Sequence, residues 1–136
     1  MYETFEHTAD LGLRVRAPDL DALFDEAARG LLSIIVDNLD AVRPDHEATI
    51  EIQGFEKDYL LFDWLSELLY RFETDHLLFS EFQVHIDDTG LKAQLRGEPV
   101  DWDRHYLAHE VKAITYHQLT VKPTDDGWMA EVIVDI

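Results

Sequence analysis

Two long stretches of this chain carry apolar residues at helical spacing, and much of the remainder alternates apolar and polar residues. The first helical stretch covers residues 19–36 and the second covers residues 56–75. An apolar stripe that recurs every three or four residues predicts a helix with one buried face, whereas strict alternation predicts a half-buried strand. The chain must therefore fold so that both helices bury their stripes against a sheet.

The alternating segments predict about seven strands, most of them joined as hairpins. They cover residues 2–7, 11–16, 46–53, 77–86, 91–95, 111–121 and 128–136. A turn signal such as Asp87–Gly90 favours antiparallel neighbours, because Asp and Gly suit the backbone of tight turns. The prediction is an α+β fold in a single domain over residues 1–136, with two long helices packed on one face of a largely antiparallel or mixed β-sheet. Residues 100–109 show no readable pattern.

Acidic residues outnumber basic residues by 29 to 11, which gives a formal charge of −18. Tight binding of nucleic acid depends on phosphate neutralisation by Lys and Arg, which this chain cannot provide over a broad face. We therefore expect no direct tight nucleic-acid binding, and instead a surface that suits cations and basic proteins. An excess of Asp with few Lys fits a salt-rich cytoplasm and equally an ordinary solvated acidic face, and the sequence leaves both open.

The chain contains no cysteine, which excludes disulfides, thiolate metal sites and a cysteine nucleophile. No apolar run approaches the ~20 residues of a membrane span, and the first residues lack the basic start and apolar core of a signal peptide. The prediction is a soluble cytoplasmic protein with no membrane partner. No Gly-rich phosphate loop or nucleophile elbow marks a nucleotide-binding or hydrolase site.

Two pairs of polar residues have i, i+4 spacing, and for both a structural interpretation is favoured. His105 and His109 would share one face of a helix and could hold a metal ion there, but their stretch has no helical pattern. Asp63 and Glu67 lie on the polar side of the second predicted helix, where a solvated face is the simpler interpretation.

Carboxylates near the two ends of the chain are the candidates for a cation site. Asp10 lies between the first two predicted strands, where an Asp ordinarily makes a turn. Asp135 precedes Ile136, so a side-chain carboxylate and the main-chain terminal carboxylate lie within one residue. Such oxygen ligands suit Ca²⁺ or Mg²⁺, provided that the first and last strands are neighbours. A frayed chain end is the alternative.

Three segments of the sequence resemble the archease family. They are FEHTAD at 5–10, VKAITYH at 111–117 and VIVDI at 132–136. The spacing between them also fits, with a long helix after the first segment and a second helix that carries Asp63-Trp64-Leu65. The resemblance covers essentially the whole chain.

This resemblance implies an accessory protein and not an enzyme. Archeases act on the RtcB-type RNA ligase, which joins tRNA halves and repairs RNA, and they promote the guanylylation and turnover of that ligase. By resemblance, a divalent metal ion is held by Asp10, Asp135 and Ile136, the last through main-chain oxygens. Lys112 is by the same resemblance required for ligase activation. Ca²⁺ is the expected ion, with Mg²⁺ and Mn²⁺ as alternatives.

Two other functions stay open from the sequence. The first is a chaperone or modulator of a tRNA-modifying enzyme, a role also proposed for members of the family. The second is a stand-alone metal-dependent phosphoesterase, which would need a general base and a phosphate-binding cation near Asp10. Stimulation of an RNA methyltransferase would favour the first, and turnover by the purified protein alone would favour the second.

Overall fold

In the computed structural model of the chain, both long helices form where the apolar spacing predicts them. α1 covers Leu20–Ile35 and α2 covers Lys57–Asp75. The carboxylate of Asp19 accepts a 2.8 Å hydrogen bond from the amide of Ala22, which satisfies one of the free amides at the start of α1. α2 ends at His76, which adopts a left-handed backbone conformation with φ of 55° and so turns the chain out of the helix.

The structure describes residues 1–7 and 10–136, and this part of the chain contains eight strands. They are β1 (Tyr2–His7), β2 (Asp10–Ala17), β3 (His46–Gln53), β4 (Leu77–Asp87), β5 (Gly90–Pro99), β6 (Ala113–Ile114), β7 (Thr120–Thr124) and β8 (Gly127–Asp135). All pairings among these strands are antiparallel. One sheet has the order β1-β2-β8-β6, with β7 also paired to β8, and the other has the order β3-β5-β4. The α+β fold is confirmed, and its strands divide between two antiparallel sheets.

The segment predicted as one strand over residues 111–121 forms two short strands with a turn between them. The amide and the hydroxyl of Thr115 both donate to the carbonyl of Ile133, at 3.0 and 2.9 Å. Gln118 adopts a left-handed backbone conformation with φ of 57°, which is uncommon for a residue other than Gly. The turn between β6 and β7 interrupts the alternation of apolar and polar residues, so the two strands pair with different parts of β8.

Each helix contacts strands of both sheets, so the two sheets share one apolar core. Trp64 of α2 is fully buried in this core, and its indole Nε1 donates a 3.0 Å hydrogen bond to the carbonyl of Phe24 in α1. This bond satisfies a buried donor and ties the two helices together. Within the described residues, no helix is long and apolar enough to cross a membrane.

Candidate functional site

The backbone register places Asp10 and Asp135 directly opposite each other. β2 begins at Asp10, β8 ends at Asp135, and the antiparallel pairing of the two strands makes these residues Cα partners. Directly opposite residues project from the same face of a sheet with Cβ atoms about 4.5–5.5 Å apart. Both residues are partly exposed, at one end of the five-stranded sheet. Thr8 and Ala9, which belong to the predicted motif, lie outside the described residues.

Lys112 lies at the same end of the sheet, on the side of β8 opposite to β2. β6 pairs Ala113 with Asp135, and the amide of Lys112 donates a 2.7 Å hydrogen bond to the Asp135 carbonyl. The side chain of Lys112 is exposed, and its ammonium group has no hydrogen-bond or ion-pair partner among the described residues. Since Ile136 follows Asp135 directly, the backbones of the four residues singled out in the sequence all lie at this end of the sheet.

Asp10 and Asp135 lie on the face of the sheet that points away from the helices. Leu13 and Val134, on the same two strands, belong to the buried core. Because successive side chains of a strand alternate between faces, Asp10 and Asp135 belong to the outer face. Their carboxylates are therefore available to a ligand or to a partner protein.

A close contact beside Asp10 fixes the start of β2. The ring of Phe5 covers Gly12, its Cα partner across β1 and β2. The guanidinium of Arg14 lies 4.7 Å from the centroid of that ring and donates a 2.6 Å hydrogen bond to Glu131 of β8. The hydrogen bond with Glu131 is the main cause that raises the pKa of Arg14. These contacts join β1, β2 and β8 next to the two opposed carboxylates.

Asp10, Asp135 and Ile136 offer oxygen donors, which fits a hard divalent cation. Two side-chain carboxylates and the main-chain oxygens of Ile136 are the ligand type that Ca²⁺ and Mg²⁺ prefer, whereas zinc favours His and Cys. Within residues 1–7 and 10–136, no three His, Cys, Asp or Glu side chains are grouped so that they could hold a metal ion. A cation would therefore need main-chain oxygens and water in addition to Asp10 and Asp135.

The structural interpretation of both i, i+4 pairs agrees with the structure. His105 is buried and His109 is exposed, and neither belongs to a helix. The two imidazoles therefore do not share a helix face. On α2, Glu67 accepts a 3.1 Å hydrogen bond from Arg71 and Asp63 is exposed, as a solvated helix face requires.

Sequence reasoning missed a buried ionic cluster at the segment that showed no pattern. Glu98, at the end of β5, accepts hydrogen bonds from the guanidinium of Arg104 and, at 2.6 Å, from the amide of Arg43. The Nδ1 atom of His105 accepts a 2.9 Å hydrogen bond from the amide of Asp101. Nε2 of His105 therefore carries the proton that points to Glu98 Oε2, 3.1 Å away. We call Glu98, Arg104 and His105 the Glu98 cluster.

The hydrogen bonds of this cluster strongly favour the ionised form of Glu98. The Arg104 guanidinium, with help from the Arg43 amide, lowers the pKa of Glu98 from 4.5 to about 2. Arg104 also donates a 2.8 Å hydrogen bond to the carbonyl of Ala41. The cluster thus joins residues 98–105 to Arg43 and Ala41, which lie 55 to 63 positions earlier in the chain, and no local spacing signals such a contact.

Comparison with known proteins points to one family over nearly the whole chain. A profile of the Archease protein family matches residues 2–136. The protein archease of Methanopyrus kandleri is 45% identical over 139 residues, which cover 99% of this chain and 99% of that relative. The protein archease of Pyrococcus abyssi is 37% identical, with 99% of this chain and 98% of the relative covered.

Two solved structures have the same fold. The solution structure of Methanobacterium thermoautotrophicum protein 1598 matches with a TM-score of 0.87 and 34% identity, over 99% of this chain and 98% of that one. The crystal structure of a Thermotoga maritima archease, described as a possible chaperone, matches with a TM-score of 0.67 and 20% identity, over 100% of this chain and 98% of that one. The second likeness concerns the fold alone.

Proposed function

This chain belongs to the archease family, and on that premise we propose that it activates an RtcB-type RNA ligase by promoting the guanylylation and turnover of the ligase. In this proposal the ligase is the enzyme and the present chain is its cytoplasmic accessory protein. The observation that carries the proposal is the register of β8, with Asp10 paired to Asp135 on one side and Lys112 bonded to it on the other. These are the residues that the family resemblance links to metal binding and activation.

Asp10, Asp135 and the main-chain oxygens of Ile136 are the proposed ligands of a divalent ion, which is Ca²⁺ by preference and otherwise Mg²⁺ or Mn²⁺. When bound, such an ion supplies positive charge that can bind phosphate oxygens. The pairing of β2 with β8 fixes the backbones of Asp10 and Asp135 opposite each other before any ion arrives, so binding needs to order only the side chains. The Arg14–Glu131 hydrogen bond joins β2 to β8 further along the same pair of strands, and the Phe5–Gly12 contact joins β2 to β1.

Lys112 is the proposed contact to the partner. Its ammonium group is exposed and is not engaged by a described residue, so it can donate to a phosphate oxygen or to a carboxylate of the ligase. Its backbone amide holds it beside Asp135, which brings the cation site and the lysine to the partner together.

The overall charge supports a protein partner over direct action on RNA. An enzyme that binds RNA carries basic surface to neutralise phosphates. A protein with a net charge of −18 is complementary to such a surface and is repelled by RNA itself.

The deciding experiment measures guanylylation of the ligase encoded in the same genome, with and without this protein. We expect stimulation by the wild type, and a loss of about tenfold or more in Asp10→Asn, Asp135→Asn and Lys112→Ala. Calorimetry with Ca²⁺ should show binding to the wild type and to Lys112→Ala, and weaker binding to the two Asp variants. Matched controls are Asp126→Asn, in the turn before β8, and Lys122→Ala on β7, since both residues are exposed.

The result that contradicts the proposal is an equal guanylylation rate with and without the wild-type protein. Stimulation of an RNA methyltransferase under the same conditions would then favour a chaperone or modulator role. Hydrolysis of a phosphate ester by the purified protein alone would favour an enzyme.

A further inference from the structure

A second surface, formed by residues 101–110 and the end of α2, carries exposed aromatic side chains. Trp102 is 68% exposed and Tyr106 is 63% exposed. Trp102 forms one wall of a groove of about 360 Å³, and its ring centroid lies 6.5 Å from that of His76 in an edge-on arrangement. We call this feature the Trp102 groove. Its walls include Phe72, His76, Trp102, Leu107, His109 and Glu110.

The backbone that displays these rings is held at several points. The amide of Asp37 donates a 2.7 Å hydrogen bond to the Tyr106 carbonyl, and the Tyr106 amide donates a 2.8 Å hydrogen bond to the side-chain oxygen of Asn38. The Glu98 cluster anchors the same segment through Arg104 and His105. The backbone of the segment that carries Trp102 and Tyr106 is therefore fixed, and aromatic side chains, which have few rotatable bonds, lose little entropy when a partner covers them.

Acidic residues dominate the segments that form the groove. Within residues 72–76 and 101–110, the one Lys or Arg is Arg104, which is already paired with Glu98. The exposed acidic residues of these segments are Glu73, Asp75, Asp101, Asp103 and Glu110. An apolar centre with an anionic rim is complementary to Lys and Arg placed around an apolar side chain, and a cation can also lie over the face of Trp102.

The groove leads along the backbone to the end of the sheet that carries the opposed carboxylates. Its wall continues from Glu110 through the buried Val111 to Lys112, whose amide is bonded to Asp135. In an inference that rests on the function proposed above, we propose that the Trp102 groove docks a Lys- and Arg-rich segment of the ligase that carries an apolar anchor. Docking there holds Lys112 against the ligase and takes no part in the activation step itself.

The test is a titration of ligase guanylylation against the concentration of this protein. Trp102→Ala, and separately the double variant Glu73→Gln with Glu110→Gln, which changes the two acidic residues that line the groove, should raise the half-maximal concentration by about tenfold and leave the maximal rate unchanged. Lys112→Ala should mainly lower the maximal rate, with a much smaller change in the half-maximal concentration. Phe55→Ala is the matched control, because Phe55 is 72% exposed and precedes α2, whereas the groove lies at the end of α2.

Two outcomes separate failure of the groove from failure of the proposed function. Unchanged half-maximal concentrations in Trp102→Ala and in the double variant overturn the docking surface and leave activation intact. If the wild type does not stimulate guanylylation, the proposed function is contradicted. The docking proposal is then tested by measuring direct binding of this protein to the same ligase. Weaker binding by Trp102→Ala then supports the docking surface, whereas equal binding, or no binding by the wild type, overturns it.

Discussion

The ring of Phe5 lies so close over Gly12 that a Cβ atom at position 12 would come within 2.2 Å of it. The two residues face each other across β1 and β2, and Asp10 lies on the same face of β2, two positions away. A side chain at position 12 must therefore move the ring, and with it the guanidinium of Arg14 that lies over the ring. The packing of Phe5 at the start of β2 therefore requires glycine at position 12.

We predict that Gly12→Ala lowers the free energy of unfolding by about 1–3 kcal/mol, because the added methyl group overpacks the contact with Phe5. Urea denaturation measures the change. The same substitution in a Phe5→Ala background should cost much less, since the ring that it displaces is gone. An equal cost in both backgrounds would show that the contact with the ring is not the cause.

The second prediction concerns the pH dependence that the Glu98 cluster gives to stability. Its hydrogen bonds lower the pKa of Glu98 from 4.5 to about 2, so the folded state favours the ionised carboxylate. The resulting stabilisation is fully present above pH 4.5 and is lost as the pH falls toward 2, because the unfolded chain takes up the proton first. Glu98→Gln should lower the free energy of unfolding by about 2 kcal/mol at neutral pH.

Chemical denaturation of the wild type and Glu98→Gln at several pH values tests this prediction. The difference between the two proteins should shrink between pH 4.5 and pH 3. Glu47→Gln is the matched control, because Glu47 pairs with Arg96 at an exposed position, where an ion pair is worth little. A difference that stays constant down to pH 3 would contradict the assignment to Glu98.

The third prediction concerns salt. A charge of −18 on a chain of 136 residues destabilises the compact state by self-repulsion, and salt screens that repulsion over a Debye length of about 8 Å at physiological ionic strength. We expect the melting temperature to rise with monovalent salt. All samples should contain EDTA, so that divalent ions play no part. A melting temperature that stays flat from dilute buffer to molar salt would rule out the effect.

The fourth prediction concerns the main-chain oxygens of Ile136. In the proposed site the carboxylate of Ile136 is a ligand, and residues added after Ile136 would convert it into a peptide group and remove its charge, although every side chain is kept. Calorimetric Ca²⁺ affinity should fall by about tenfold or more, together with stimulation of the ligase. The same tag placed before Met1 is the control. Normal Ca²⁺ binding by the C-terminally tagged protein would show that the carboxylate of Ile136 is not a ligand.

Periodicity alone was sufficient for most of the fold. The helices form within a residue or two of 19–36 and 56–75, because each apolar stripe must be buried whatever it packs on. The division of 111–121 into β6 and β7 could not be predicted, because it depends on a hydrogen bond from Thr115 to the distant Ile133. Residues 100–109 were unreadable for a similar reason, since Glu98 and Ala41 hold them from outside.

The candidate site could be proposed from the sequence but not located. The residue types at Asp10 and Asp135 suggest oxygen ligands, and their adjacency requires that one of the first two predicted strands lie beside the last; in the structure this strand is β2, not β1. Only the register of the strands shows that pairing. The structure also shows that the backbone of Lys112 lies beside Asp135, although no spacing in the sequence connects Lys112 to either Asp. The Trp102 groove could not be predicted from the sequence, because the exposure of an aromatic side chain produces no periodic pattern.

The pairing of β2 with β8 also has a consequence for the order of folding. The β4–β5 hairpin closes a short turn, whereas β2 and β8 lie near opposite ends of the sequence. Contacts between distant parts of a chain carry a large loop-closure cost and form late. We therefore expect the local β4–β5 and β7–β8 hairpins to form before β2 pairs with β8, while Asp10 and Asp135 are still apart. The surface that the ligase would recognise then exists only in molecules that have finished folding.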